Sequence, residues 1–338
     1  MMDRTKIKVE RDVWENSFVE QHYNKNHGII PHTDPKEDPK YNEKNKLIRK
    51  CQKIVGTNVS GKPPLNIAIV GTPGGGKSSL LNTIFASFST ESWTEIVPFG
   101  SFGRAQRQRT TRFKSYVKDT YYKRSVQDAY LMPTFLDMTG FEDDDSEKSV
   151  ALLELLCTGR IKEDEELRSA KDYATKYGAE ALLGRYNKGV CHRPVDRIIV
   201  VCTSNLDVNI PESFLNAVWK ASTKHREIPV YGVLTCRDKY PPNVVEDRIK
   251  SFRHLLALPK CRFAHIINYC DAIDSEGVHF DTTIPSLDVP VLQFMKQVLN
   301  PRQDDPTQKQ VSKIDILAIF AFIFAVVAFI YVLLISNR

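Results

Sequence analysis

Apolar positions along this 338-residue chain follow two rhythms. Short, dense runs at residues 65–70, 134–137, 198–202, 230–234 and 263–267 have the length and β-branched content of buried strands. Between them, residues 79–85, 212–224 and 244–257 carry apolar side chains at helical intervals. That alternation predicts an α/β fold, a doubly wound, mostly parallel sheet with flanking helices. Ahead of the first strand, Leu47, Ile48, Cys51 and Ile54 sit at helical spacing among Lys and Arg, predicting an amphipathic helix and linker over residues 41–62. Residues 148–189 carry Leu152, Leu153, Leu155 and Leu156, then Ala and Leu at helical intervals. They predict one or two inserted helices, and the pattern leaves open whether these form a lid, a dimer surface, an effector surface or plain packing.

The two ends differ from this centre. Residues 1–40 are charged and polar with isolated apolar positions, and predict a mobile arm. From Ile316 to Ile335 the chain is unbroken Ile, Leu, Ala, Phe and Val with one Tyr. At about 1.5 Å per helical residue such a run spans about 30 Å, the thickness of a bilayer's hydrocarbon core. The expected layout is therefore a main domain at 63–300, a linker at 301–313 and one C-terminal transmembrane helix at 314–338. No apolar stretch near the start resembles a secretory signal. The expected arrangement is a tail-anchored protein with its main domain in the cytosol, on the endoplasmic reticulum or a later secretory membrane.

Composition changes this picture little. The net charge of +6, with 42% apolar and 26% charged residues, suits one large cored domain plus extensions. A mild positive charge favours an anionic leaflet and is no nucleic-acid signature, so no nucleic-acid partner is expected. Seven scattered cysteines lack C-x-x-C or His–Cys ligand spacing and read as reduced thiols.

The chemistry is concentrated after the first strand. Gly71-Thr72-Pro73-Gly74-Gly75-Gly76-Lys77-Ser78, followed by Ser79, is a complete phosphate-binding P-loop between a strand and a helix. Its glycines let backbone N–H groups face a phosphate at a helix N-terminus. Lys77 is placed for the β- and γ-phosphates, and the Ser78 hydroxyl for Mg2+. About sixty residues on, Asp137-Met138-Thr139-Gly140 gives a D-x-x-G element at a strand end, with Asp137 for the metal and the Gly140 N–H for the γ-phosphate. Between these, the basic segment 104–114 offers Thr110, with Thr111 second, as a metal and γ-phosphate ligand. Arg107 stands three residues before Thr110, the spacing Gα subunits use for a catalytic arginine supplied in cis; a solvated or lipid-facing basic loop is the alternative. Thr235-Cys236-Arg237-Asp238 follows the strand at 230–234 and offers the Asp238 carboxylate to a guanine base, while Asn268 is placed to line the same pocket.

Gly71, Pro73, the Gly76-Lys77-Ser78-Ser79 run and Asn82, then Thr110 to Tyr116, Asp137-x-x-Gly140, Thr235-x-x-Asp238 and Asn268-Tyr269, resemble the interferon-induced protein 44 family of GTPases over roughly residues 60 to 300. The resemblance implies a guanine-nucleotide-binding protein of the innate immune response. The C-terminal apolar segment and the N-terminal arm depart from that family's pattern. Ras-like GTPases carry a water-orienting glutamine after D-x-x-G, whereas this chain has Phe141 followed by Glu142-Asp143-Asp144-Asp145. Hydrolysis by the isolated monomer should then be slow, unless a homodimer, Arg107 or a partner completes the site. The acidic run reads as a solvated loop, with Glu142 a weaker candidate for orienting water. The leading expectation is a membrane-anchored switch using GTP/GDP and Mg2+, with effector partners. A non-cycling nucleotide-bound scaffold and an ATP-using P-loop NTPase are the alternatives.

Overall fold

Six strands form one sheet in the computed structural model, which describes residues 34–57, 61, 63–90, 92–98, 112–122, 129–138, 140–187, 193–225, 227–269 and 282–300. They are β1 (Asn66–Gly71), β2 (Lys114–Tyr116), β3 (Thr134–Asp137), β4 (Arg197–Thr203), β5 (Val230–Thr235) and β6 (Phe263–His265). The order across the sheet is β2-β3-β1-β4-β5-β6, with every pair parallel except β2 with β3. After β3 the chain steps over β1 to enter β4. The carboxyl end of β1 therefore lies where the winding reverses, the place at which open α/β sheets bind ligands.

Each central strand is apolar on both faces, as a parallel sheet covered by helices requires. Ile67, Ile69, Phe135, Ile199, Val201, Tyr231 and Val233 face one core. That core is closed by α1 (Tyr41–Val55), α2 (Lys77–Phe88) and, after the short α3 (Lys118–Tyr121), by α9 (Pro285–Leu299). Ala68, Val70, Leu136, Ile198, Val200 and Cys202 face the other core. There α4 (Glu147–Cys157), α5 (Leu167–Tyr177), α6 (Ala179–Asn187), α7 (Glu212–His225) and α8 (Glu246–Leu255) complete the layer.

Several boundaries differ from the sequence reading. Part of the expected arm is built into the domain: Asp34 caps a short 3-10 turn at Pro35–Glu37, and the buried Asp38 carboxylate accepts from the Ser286 N–H at 2.9 Å and hydroxyl at 2.8 Å. The fifth apolar run is a strand only as far as His265, and beyond it the Ile266 N–H still donates to the Leu234 carbonyl of β5 at 2.9 Å while its carbonyl accepts from the Arg237 N–H at 3.1 Å. The insert contains three helices, the first of which belongs to the core: Leu152, Leu153, Leu155 and Leu156 are all buried beside α7.

α1 is locked to α9 by a charge pair inside the protein. Lys44 Nζ lies 2.8 Å from Asp288 Oδ2 and donates to the Thr283 hydroxyl at 2.7 Å. The Tyr269 hydroxyl donates to Asp288 Oδ1 at 3.1 Å. Among the described residues no helix is long and apolar enough to cross a membrane, and residues 316–335 lie outside the described residues.

Candidate nucleotide site

The loop at the end of β1 is shaped by contacts that only glycine permits. Gly74 and Gly76 have φ of +73° and +90°, the left-handed region that a side chain disfavours. A Cβ on Gly71 would stand 2.2 Å from the Val201 carbonyl oxygen. Thr72 accepts from the Gly75 N–H at 3.2 Å, and the first turn of α2 closes with Leu80 N–H donating to the Gly76 carbonyl at 2.8 Å. Pro73 and Gly74 are exposed at the crest, so the loop presents its backbone at a helix N-terminus, the geometry that binds a phosphate.

Lys77 is buried beneath this loop, its ammonium donating to the carbonyls of Gly71 at 3.3 Å and Thr72 at 3.1 Å. Burial lowers its pKa to about 8, and the Asp137 carboxylate opposes that shift. Asp137, at the end of β3, is 1% exposed, and neither of its carboxylate oxygens has a hydrogen-bond partner. Burial raises its pKa to about 6. The Lys77 charge pulls the other way, as does the Met138 N–H, which lies near it but outside hydrogen-bonding geometry.

A buried carboxylate with unmet acceptors beside a phosphate loop suits Mg2+, which takes one or two protein oxygens and completes its octahedron with water and phosphate. No group of three or more His, Cys, Asp or Glu among the described residues could hold a metal without such help. Asp137 and the hydroxyl of Ser78, at the second position of α2, are the protein groups that fit. When bound, the ion would neutralise the phosphate oxygens.

The D-x-x-G segment is fastened directly to the P-loop. The Phe141 N–H donates to the Gly71 carbonyl at 3.0 Å, and a Cβ on Gly140 would stand 2.4 Å from the Pro73 nitrogen. The Phe141 ring stacks on Phe214 at 5.5 Å. The acidic run that follows is solvent-facing, as expected of a solvated loop, and is also hydrogen-bonded to its neighbours. Asp143 accepts from the Phe214 N–H at 2.9 Å near the start of α7, and Asp145 accepts from Asn216 and Lys220. Asp144 holds Ser146 and Ser149, whose hydrogen bonds keep its pKa low. Glu142 is exposed and paired with Lys171.

Two residues expected at the nucleotide make contacts that brace the loop and α2. The Thr235 hydroxyl, fully buried, donates to the Gly75 carbonyl at 3.0 Å, and its methyl group would meet a Cβ on Gly76 at 3.1 Å. It supports the loop from below. Asn268 accepts from the Thr83 hydroxyl at 3.2 Å, and its amide nitrogen would lie 3.4 Å from a Gly76 Cβ. It joins the chain beyond β6 to α2. Of the two, Thr235 bonds to the loop backbone and Asn268 to a side chain of α2.

Thr83 was missing from the sequence reading: its hydroxyl lies within hydrogen-bonding distance of the Ser79 carbonyl, Asn268 and the Tyr269 N–H. Its placement six residues after Lys77, on the same helix, was the available signal. Cys236, in the base-reading turn, has φ of +62°, and the hydroxyls of Thr203 and Thr235 lie 3.8 Å from its sulfur. Asp238 follows in that turn and is half-buried. Arg107, Thr110 and Thr111 lie outside the described residues; the chain is described again at Arg112, and Lys114 stands opposite Asp137 in the β2–β3 register.

No family model and no curated protein matches this chain. Among solved structures it is similar to Toc33 from Arabidopsis thaliana in complex with GDP and Mg2+, at 15% identity and a TM-score of 0.40, over 79% of this chain and 94% of that one. It is also similar to Methanosarcina barkeri Roco2 bound to GDP, at 16% identity and 0.35, over 72% of this chain and 51% of that one. A probable GTP-binding protein engB matches at 12% identity and 0.35, over 70% of this chain and 100% of that one. Values this low leave the chemistry to the geometry of the loop and of Asp137.

Proposed function

We propose that this protein binds GTP and GDP with Mg2+ and acts as a GTP-dependent switch. The observation that carries the reading is the Asp137 carboxylate, buried and without a hydrogen-bond partner, next to Lys77 beneath a glycine-shaped loop at the winding reversal of the sheet. Gly71 to Ser79 would hold the phosphates, with Lys77 countering their charge and Ser78 and Asp137 holding the ion. Asp238 would accept from the guanine ring N–H and exocyclic amine, and Thr110 and Arg107 would complete the γ-phosphate side. Gly140, pressed against Pro73, would offer its N–H to the γ-phosphate. The finer reading is a tail-anchored protein of the interferon-induced protein 44-like kind, held in a membrane by residues 316–335 and able to pair as a homodimer or engage effectors in innate immunity. It rests on the sequence resemblance and the C-terminal apolar run.

Asp238→Asn tests the base contact: affinity should move from guanosine to xanthosine nucleotides. Equal loss of both would remove Asp238 from the site.

A second reading, a nucleotide-bound scaffold that does not cycle, is favoured by Phe141. Its N–H is committed to Gly71 and its ring to Phe214, and a phenyl ring cannot polarise water. Single-turnover hydrolysis at rising protein concentration separates the two. Turnover that rises with concentration indicates a dimer-activated switch, and tight retention without turnover indicates the scaffold.

A further inference from the structure

The helical insert holds both walls of the metal end of the site. In the connection between α4 and α5, Glu163 Oε1 accepts from the Ser115 N–H at 2.7 Å, and Oε2 accepts from the Ser115 hydroxyl. Beside it the Phe113 N–H donates to the Glu165 carbonyl, and the Asp164 N–H donates to the Phe113 carbonyl, both at 2.9 Å. Arg112 and Glu166 form an antiparallel bridge. Residues 112–115 are thus engaged by the insert on one side and by β3 on the other, where Ser115 stands opposite Leu136 and Lys114 opposite Asp137. On the other wall, Lys171 of α5 pairs with Glu142, two residues past Gly140.

A three-residue edge strand with a polar sequence specifies its register weakly by itself. Within β2 Lys114 is exposed and only Tyr116 is buried, so the backbone bonds at the buried Phe113 and the Glu163 contact add to what the pairing with β3 fixes. Glu163, itself exposed, adds the two-point side-chain contact that falls one residue from the position facing Asp137. The exposed Lys171–Glu142 pair adds less, since such pairs contribute little in water.

We propose that Glu163, with Lys171 in a lesser role, is a positioning residue that holds β2 and the Gly140–Glu142 segment in place around the Asp137 carboxylate, so that the insert sets how strongly nucleotide binding depends on Mg2+. The inference rests on the nucleotide reading above. It gives the insert a task beyond packing: anything that displaces α5 loosens the metal end first and leaves the P-loop intact.

The test uses the full-length protein and a fluorescent guanosine triphosphate, with dissociation constants measured in Mg2+ and in EDTA. In Glu163→Ala the Mg2+ advantage should fall about three- to tenfold, the equivalent of one ordinary hydrogen bond, with affinity in EDTA and the thermal midpoint unchanged. Glu163→Gln keeps an acceptor for the Ser115 N–H and should recover most of the advantage. Lys171→Ala should give a smaller loss. An unchanged ratio in Glu163→Ala, or equal losses in both conditions, overturns the proposal while the nucleotide reading stands. A wild-type protein that binds the probe in neither condition overturns both.

Discussion

Asp137→Asn should make the ligand-free protein more stable at neutral pH. The carboxyl is buried without a hydrogen-bond partner, and burial raises its pKa from 3.8 to about 6. A folded-state value about two units above the unfolded one means that the fold holds this proton more tightly than the open chain does. At about 1.4 kcal/mol per unit, the ionised carboxylate costs the fold about 3 kcal/mol once pH exceeds 6. Below 3.8 the group is neutral in both states and costs nothing. The amide carries no charge at any pH. Its drawback falls on Lys77, which burial already lowers to about 8 and which Asp137 helps to keep charged. Allowing for that loss, the net gain at pH 7.5 is roughly 1–2 kcal/mol, or about 2–8 °C in a domain of this size. Thermal unfolding without nucleotide, from pH 4.5 to 7.5, should show the gain at the upper end and little of it at the lower. The same variant should lose the Mg2+ dependence of nucleotide binding, so that a stability gain accompanies a functional loss. A variant less stable than wild type at pH 7.5, or a gain independent of pH, would refute the reasoning.

Gly140→Ala puts a methyl group 2.4 Å from the Pro73 nitrogen and should drive the D-x-x-G segment off the P-loop, costing about 1–3 kcal/mol in chemical denaturation and weakening triphosphate binding more than diphosphate binding. Thr235→Val removes the donor to the buried Gly75 carbonyl, and a loss of about 1–3 kcal/mol is expected in urea unfolding, largely restored by Thr235→Ser. Lys44→Ala leaves the buried Asp288 without its counter-charge and should cost about 3–5 kcal/mol, whereas Lys44→Met combined with Asp288→Leu should recover most of it; thermal melts of the three proteins check this.

What the sequence revealed and what it hid follow from the range of the interactions. The helix at 41–55 and the strand at 134–137 stand where the apolar spacing put them, because each is specified by its own burial pattern. The P-loop was legible because its chemistry is local: the glycines, Lys77 and Ser78 are consecutive. β2 was not, since Lys-Ser-Tyr has no apolar alternation and pairs only through β3 and the insert. The acidic run is solvent-facing as expected, but its partners, Lys171, Phe214, Asn216 and Lys220, lie about thirty to seventy-five residues away and no local pattern announced them. The contacts of Thr235 and Asn268 with Gly75 and Thr83 were hidden, since they depend on how β5 and the chain after β6 meet the P-loop and α2. The Lys44–Asp288 pair joins residues more than two hundred positions apart, and no local pattern announces it.

The most direct test of the central claim is equilibrium binding of Mg2+-GTP to the full-length protein, with Mg2+-ATP as competitor and Lys77→Ala as control. The account predicts binding that ATP does not displace and that Lys77→Ala weakens at least tenfold, about 1.4 kcal/mol or more. Equal competition by ATP would contradict the guanine assignment, and wild-type affinity in Lys77→Ala would contradict a phosphate site at the P-loop.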